Sequence, residues 1–166
     1  KVMFTTVNDA RLGVAIQGLA QAEIACQNAV RYAQERRQGA ALPGSRDSGK
    51  TRRETAPIAI AEHPDVRRML LGMRAFTEAA RGLTLWLALQ IDAAQRHPDP
   101  ARRLQADRLV ALLTPVAKAH LTDEGFAATS QALQCHGGYG YVQETGVDQF
   151  MRDVRITQIY EGTNGI

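Results

Sequence analysis

From Asn8 to Gln38 apolar residues return every three or four positions: Leu12, Ile16, Leu19, Cys26, Val30 and Ala33, with Glu23 the one break in the stripe. That spacing is one face of an α-helix. The lack of proline and the abundance of Ala, Gln and Glu favour it. Small residues Gly13, Ala15, Gly18, Ala22, Ala25 and Ala29 would let a neighbouring helix approach closely. Between Gly39 and Pro57 the pattern dissolves into Gly, Pro, Ser and basic residues, which predicts a loop. His63-Pro64-Asp65 opens a second helix, with Pro in the first turn where its missing N–H costs little. Val66, Met69, Leu70, Met73, Phe76, Ala80, Leu83, Leu87 and Ile91 form its stripe. Arg67, Arg68, Arg74, Glu78 and Arg81 lie off it. His97-Pro98-Asp99-Pro100 stops this helix. A third runs from about Arg102 to Leu133 and carries Leu109, Leu112, Leu113, Val116, Phe126 and Ala127. Pro115 interrupts it and is expected to kink it.

The pattern therefore predicts helices over 9–38, 65–96 and 102–134, and no segment alternates long enough to demand a strand. The fold class expected is all-α: an antiparallel bundle of the four-helix type, with residues 1–166 as one domain. The last quarter reads as short helices and turns. A fourth long helix would close the bundle, and the chain ends where it is expected to begin, with Thr163 or Asn164 as its N-cap. The chain begins with Lys1 rather than Met. It is therefore expected to be a domain of a longer protein, truncated before its last helix.

Composition narrows the classes without choosing one. Hydrophobic residues make 45% and charged residues 22% of the chain, as in ordinary globular domains. No run approaches the ~18 apolar residues of a membrane span, the start is not a signal peptide, and a cytoplasmic protein is expected. Cys26 and Cys135 are far apart with no second Cys at metal-ligand spacing, so two reduced thiols are expected and no metal. The net charge of +3 would suit a phosphate-rich ligand but does not require one.

Gly44-Ser45-Arg46-Asp47-Ser48-Gly49-Lys50-Thr51 fits the nucleotide-phosphate pattern G-x-x-x-x-G-K-[ST] at every fixed position. The chemistry also needs a buried strand leading in and a helix starting at the Lys, whose amides face the phosphates. Gly39-Ala40-Ala41-Leu42-Pro43 is too short and broken for such a strand, and Pro57 leaves less than two turns after Lys50. We read the match as chance in a basic loop.

Two segments near the end carry more. Gln134-Cys135-His136-Gly137-Gly138-Tyr139-Gly140-Tyr141, then Met151 to Ile166 in the order MRDVRITQIYEGTNGI, resembles the C-terminal signature of the acyl-CoA dehydrogenases. The resemblance runs from about residue 8 to the end and is specific in those two blocks. It implies a FAD-dependent oxidoreductase of fatty acid metabolism that desaturates the α,β bond of an acyl-CoA. In the family the Glu of Tyr-Glu-Gly-Thr removes the α-proton while a hydride leaves the β-carbon for flavin N5. Here that is Glu161. Ile156, Ile159 and Tyr160 lead into it and Gly162 follows, so a half-buried turn is expected, where desolvation would favour a useful base.

The same resemblance implies further roles. Gln134, Cys135, His136, Gly137 and Gly138 would hold FAD, in many relatives that of a neighbouring subunit. The Gly pair also reads as a helix cap. Thr163, Asn164 and Gly165 would join the cofactor contacts, and Gly162 the substrate site. Arg36 matches the Arg of the family's Glu-Arg-x-x-Phe-Gly turn, which meets FAD phosphate across the dimer. The family's Phe is missing here, the turn is one residue short and a basic insertion follows. That departure resembles a bacterial long-form branch that includes the methylthiopropanoyl-CoA dehydrogenases. Arg11 matches a substrate-contacting Arg, with Asn8 in place of the family's acid. Expected partners are an acyl-CoA substrate, electron-transfer flavoprotein as acceptor, and copies of the same chain in a homodimer or dimer of dimers. The isolated fragment is expected to be inactive. The alternative is a relative that binds nucleic acid through Arg46, Lys50, Arg52 and Arg53. An intact Tyr-Glu-Gly-Thr motif speaks against it.

Overall fold

The computed structural model describes residues 2–41 and 56–165, with side chains from residue 10 onward. The nucleotide-loop pattern at 44–51 and the basic residues 46–53 lie outside the described residues, as does most of the expected 39–57 loop. The described residues form five α-helices: α1 (Val2–Glu35), α2 (Pro64–Arg96), α3 (Pro100–His136), α4 (Gly138–Tyr141) and α5 (Val147–Arg155). Among the described residues there is no strand, only an isolated antiparallel bridge between Arg37 and Ala59. The expected all-α class and the three long helices are found, each within a few residues of its predicted ends at most boundaries.

α1, α2 and α3 run up, down and up. Leu12 packs with Leu87 and Val110 in one cluster, and Cys26 and Ala29 with Met69 and Ala132 in another. Glu23, the break in the α1 stripe, faces α2: Arg81 Nη2 reaches its Oε2 at 2.8 Å. The Gln27 amide and this Arg81 hold the Glu23 carboxyl below the usual carboxylate range, outweighing its burial.

The face of α3 that forms the core differs from the expected one. Leu112 and Val116 are exposed, whereas Ala106, Val110, Thr114, Ala117, Leu121, Ala128 and Ala132 are buried. The reason is the closeness of α1. A Cβ on Gly18 would lie 2.6 Å from the Leu121 carbonyl oxygen, and one on Gly125 would lie 2.8 Å from the Gly18 oxygen. Where the two backbones touch, mostly Gly, Ala and Thr fit between them, and Leu112 and Val116 turn outward. Leu71, Leu85 and Leu89 of α2 and Leu104 of α3 are also exposed, an apolar surface of the kind a further element or subunit covers. Pro115 stands inside α3, which runs unbroken through it.

α3 ends as the Gly pair suggested. Gly137 takes φ 60 and its N–H donates to the Gln134 carbonyl, a conformation that costs glycine little. The chain then passes through α4 to α5, where Phe150 packs against the Cys26–Cys135 cluster. From Ile156 it runs back along α3 towards the first turns of α1.

Candidate active site

Residues 158–165 form a loop against the Lys118–Asp123 segment of α3, and five of its eight residues are tied to α1 or α3. Gln158 Nε2 donates to Asp123 Oδ1 at 2.7 Å, and the Tyr160 hydroxyl bonds Gln17 Oε1 on α1. Arg11 Nε approaches the Glu161 carbonyl at 3.4 Å. Lys118 Nζ donates to the Gly162 carbonyl at 2.6 Å and to Asn164 Oδ1 at 2.8 Å. Asn164 Nδ2 in turn faces Thr122 Oγ1 at 2.8 Å and Asp123 Oδ1 at 2.9 Å.

Glu161 sits at the strained point of this loop. Its φ is 55, the only positive value among the described non-glycine residues, and Gly162 follows with φ 99. Such residues cost about 1–3 kcal/mol each and persist where their surroundings over-determine them. The Glu161 side chain is exposed, so the half-buried turn expected for it is not formed by this chain. Its apolar lead-in does not cover it, since Ile156 and Ile159 are themselves exposed. The Asn164 side-chain oxygen accepts from Lys118. Beside the loop, Arg11, Pro115, Lys118, Ala119 and residues 162–165 line a cavity of about 430 Å³.

The other predicted residues gather about 27 Å away along α3, at 1.5 Å per residue from Lys118 to His136. Arg36, just past the end of α1, places its guanidinium 5.9 Å from the Tyr139 ring centroid. Tyr32 stacks on His136 with centroids 4.5 Å apart. His136 is buried, with Nδ1 2.8 Å from the Ala132 carbonyl. Cys135 points into the core, where burial pushes its thiol up to about 11; Cys26 is raised for the same reason. The exposed members of this cluster are Arg36, Gln134, Gly137, Gly138 and Tyr139. Thr163 and Gly165 are exposed at the other site.

Sequence reasoning did not find Lys118, Asp123, Gln17 or Tyr32. Lys118 had one usable signal: it falls on the same helical face as Thr114, Leu121 and Thr122, all buried.

Fold and site together define an all-helical domain that presents one carboxylate on a strained, cation-flanked loop. A family model described as the acyl-CoA dehydrogenase C-terminal domain matches residues 48–166. The chain belongs to this family. It is 41% identical over its full length to 3-methylmercaptopropionyl-CoA dehydrogenase of Ruegeria pomeroyi, of which it covers 27%. The solved structure of butyryl-CoA dehydrogenase from Megasphaera elsdenii aligns with a TM-score of 0.70 and 32% identity, over 96% of this chain and 34% of that one. A chain in a structure described as electron transferring flavoprotein of Acidaminococcus fermentans aligns with a TM-score of 0.71 and 31% identity, over 96% of this chain and 34% of that one. The chain thus spans about a third or less of these relatives. No described helix is long and apolar enough to cross a membrane.

Proposed function

We propose that this chain is the helical C-terminal domain of a FAD-dependent acyl-CoA dehydrogenase and that Glu161 is the base that takes the α-proton of an acyl-CoA thioester. The observation that carries the reading is the Glu161 loop: a carboxylate exposed on a backbone of φ 55, pinned on both sides by Arg11 and Lys118. A surface glutamate with no task needs no such fixing. Strain of this kind is typical of functional loops. Water exclusion around the carboxylate falls to the rest of the enzyme or to bound substrate.

The residues present fit a flavin nucleotide at the far cluster. A Cβ on Gly137 or Gly138 would meet nothing within 4 Å, so the backbone there is open to close approach. Arg36 supplies an exposed cation beside it for a phosphate. Because this cluster lies about 27 Å along α3 from the turn that holds the Glu161 loop, the two would serve different active sites, with Arg36 and Gln134–Gly138 holding the cofactor of a neighbouring copy. The exposed leucines of α2 and α3 support such an assembly. When bound, FAD supplies the acceptor for the β-hydride. Glu161 receives the α-proton, and a carbon–carbon double bond remains. Arg11, which reaches the same cavity as the loop, would contact the substrate, and electron-transfer flavoprotein would be the acceptor.

The test is anaerobic mixing of the FAD-loaded enzyme with acyl-CoA. Bleaching of the flavin absorbance that depends on Glu161 supports the reading; bleaching unaffected by Glu161→Gln overturns the base assignment.

A further inference from the structure

Lys118 is 3% exposed, and lysine is almost never so buried unless it is paired. It sits among Thr114, Ala117, Leu121 and Thr122, all buried. An ammonium in such surroundings is costly unless its N–H groups are satisfied. Both partners it finds belong to the loop of Glu161: the Gly162 carbonyl at 2.6 Å and Asn164 Oδ1 at 2.8 Å. Neither contact is local, since the partners lie 44 and 46 residues away. Asn164 passes the hold on to Thr122 and Asp123, so one turn of α3 grips the loop at several points.

The grip falls where the backbone needs it. Glu161 and Gly162 are two successive residues of positive φ, and the carbonyl held by Lys118 is the one directly after Glu161. A relaxed loop would release that strain by rotating these peptides, and the Glu161 carboxylate would move with them. Burial pulls the Lys118 ammonium below the ordinary lysine range; the Asp123 and Glu161 carboxylates oppose that shift, and the Arg11 guanidinium adds to it. The amine is therefore bound into the same charge arrangement as the base.

Resting on the function proposed above, we propose that Lys118 is a positioning residue for the dehydrogenation: by holding the Gly162 carbonyl and the Asn164 side chain, it fixes where the Glu161 carboxylate meets the α-proton. It touches no reacting atom.

The test uses the FAD-loaded enzyme that carries this domain, with Lys118→Met, Lys118→Gln and Glu161→Gln compared side by side. Three quantities are read: flavin reduction at saturating acyl-CoA, acyl-CoA affinity, and α-proton exchange into D2O. The exchange probe is a thioester with sulfur in place of the β-carbon. It can lose its α-proton to the base and regain a deuteron, but has no β-hydride to give, so it reports base alignment alone. A misplacement of about 1 Å costs on the order of 100-fold. Lys118→Met should therefore slow both reduction and exchange by about 10–100-fold while FAD content and acyl-CoA affinity stay near wild type. Lys118→Gln, which keeps an N–H donor, should fall between. Wild-type reduction and exchange in either folded Lys118 variant would overturn the role, as would a rise in KM with kcat unchanged. If Glu161→Gln is inactive while the Lys118 variants are normal, only the positioning role falls. If Glu161→Gln itself exchanges and reduces normally, the base assignment fails and the positioning role falls with it.

Discussion

Tyr32 of α1 and His136 at the end of α3 stack with ring centroids 4.5 Å apart and planes 28° from parallel. Tyr139 stands 6.4 Å from the same Tyr32 ring, and the Arg36 guanidinium lies over Tyr139. Residues a hundred positions apart in sequence thus form one rim, in which His136 is held by stacking and by its bond to Ala132. The exposed cation and the open Gly137–Gly138 backbone are carried on that rigid base.

Arg36→Ala should lower the FAD content of the purified enzyme while leaving its melting temperature nearly unchanged. The side chain is exposed and its cation–π contact with Tyr139 is worth only about 0.5–1 kcal/mol. Flavin absorbance per protein and a thermal melt measure the two effects. Full flavin occupancy in this variant would remove Arg36 from the cofactor site.

For Glu161→Gln, the amide keeps the shape of the side chain and loses the ability to accept the proton. General-base catalysis typically contributes roughly 10²–10⁴-fold. Stopped-flow bleaching should slow by at least that range, with FAD content and acyl-CoA affinity retained.

α1 and α2 were legible because their apolar stripes run for many turns with no proline in the helix interior, and α2 buries the Met69, Met73, Ala80 and Leu87 that its pattern named. α3 was legible in extent but not in orientation. A search for large apolar residues looks for Leu112 and Val116, whereas contact with α1 selects Ala, Thr and Gly. Glu161 was legible by motif. Lys118 was not, because a lone lysine reads as solvated until its loop partners, more than forty residues later, are seen to fold back on it.

That contact with α1 can be tested with two substitutions of the same chemistry. Gly18→Ala places a methyl 2.6 Å from the backbone oxygen of Leu121, an atom that cannot step aside, so α1 and α3 must separate. Overpacking of this kind costs about 1–3 kcal/mol, and each kcal/mol lowers the melting temperature of a domain this size by roughly 2–4 °C. Gly13→Ala meets nothing within 4 Å on the exposed side of the same helix. It should raise stability by up to about 1 kcal/mol, the helix preference of Ala over Gly. Equal effects from the two would mean that the crossing is looser than described.

Cys135 predicts an alkaline loss of stability. Its folded pKa, raised by burial to about 11 from the reference 9.0, means the unfolded chain loses this proton first. The stabilisation is full below pH 9.0 and is lost as pH rises to about 11. At roughly 1.36 kcal/mol per pH unit, it amounts to about 2–3 kcal/mol. Denaturant melts at several pH values should show a decline that Cys135→Ala makes shallower, against a pH-independent cost for the smaller side chain. Parallel pH curves for the two proteins would contradict the burial of the thiol.

The bridge between Arg37 and Ala59 has a further consequence. Gln38 N–H donates to the Ile58 carbonyl at 2.9 Å, Ile60 N–H to the Arg36 carbonyl at 2.8 Å, and His63 Nε2 meets the Gln38 carbonyl at 2.7 Å. The chain therefore leaves α1 and returns to α2 through a single stitched gate. Closing a longer excursion at a fixed gate costs only about 0.6 kcal/mol for each doubling of its length. Insertions between these two points can accumulate at little thermodynamic cost, while Arg36 and the register of α2 against α1 stay where they are.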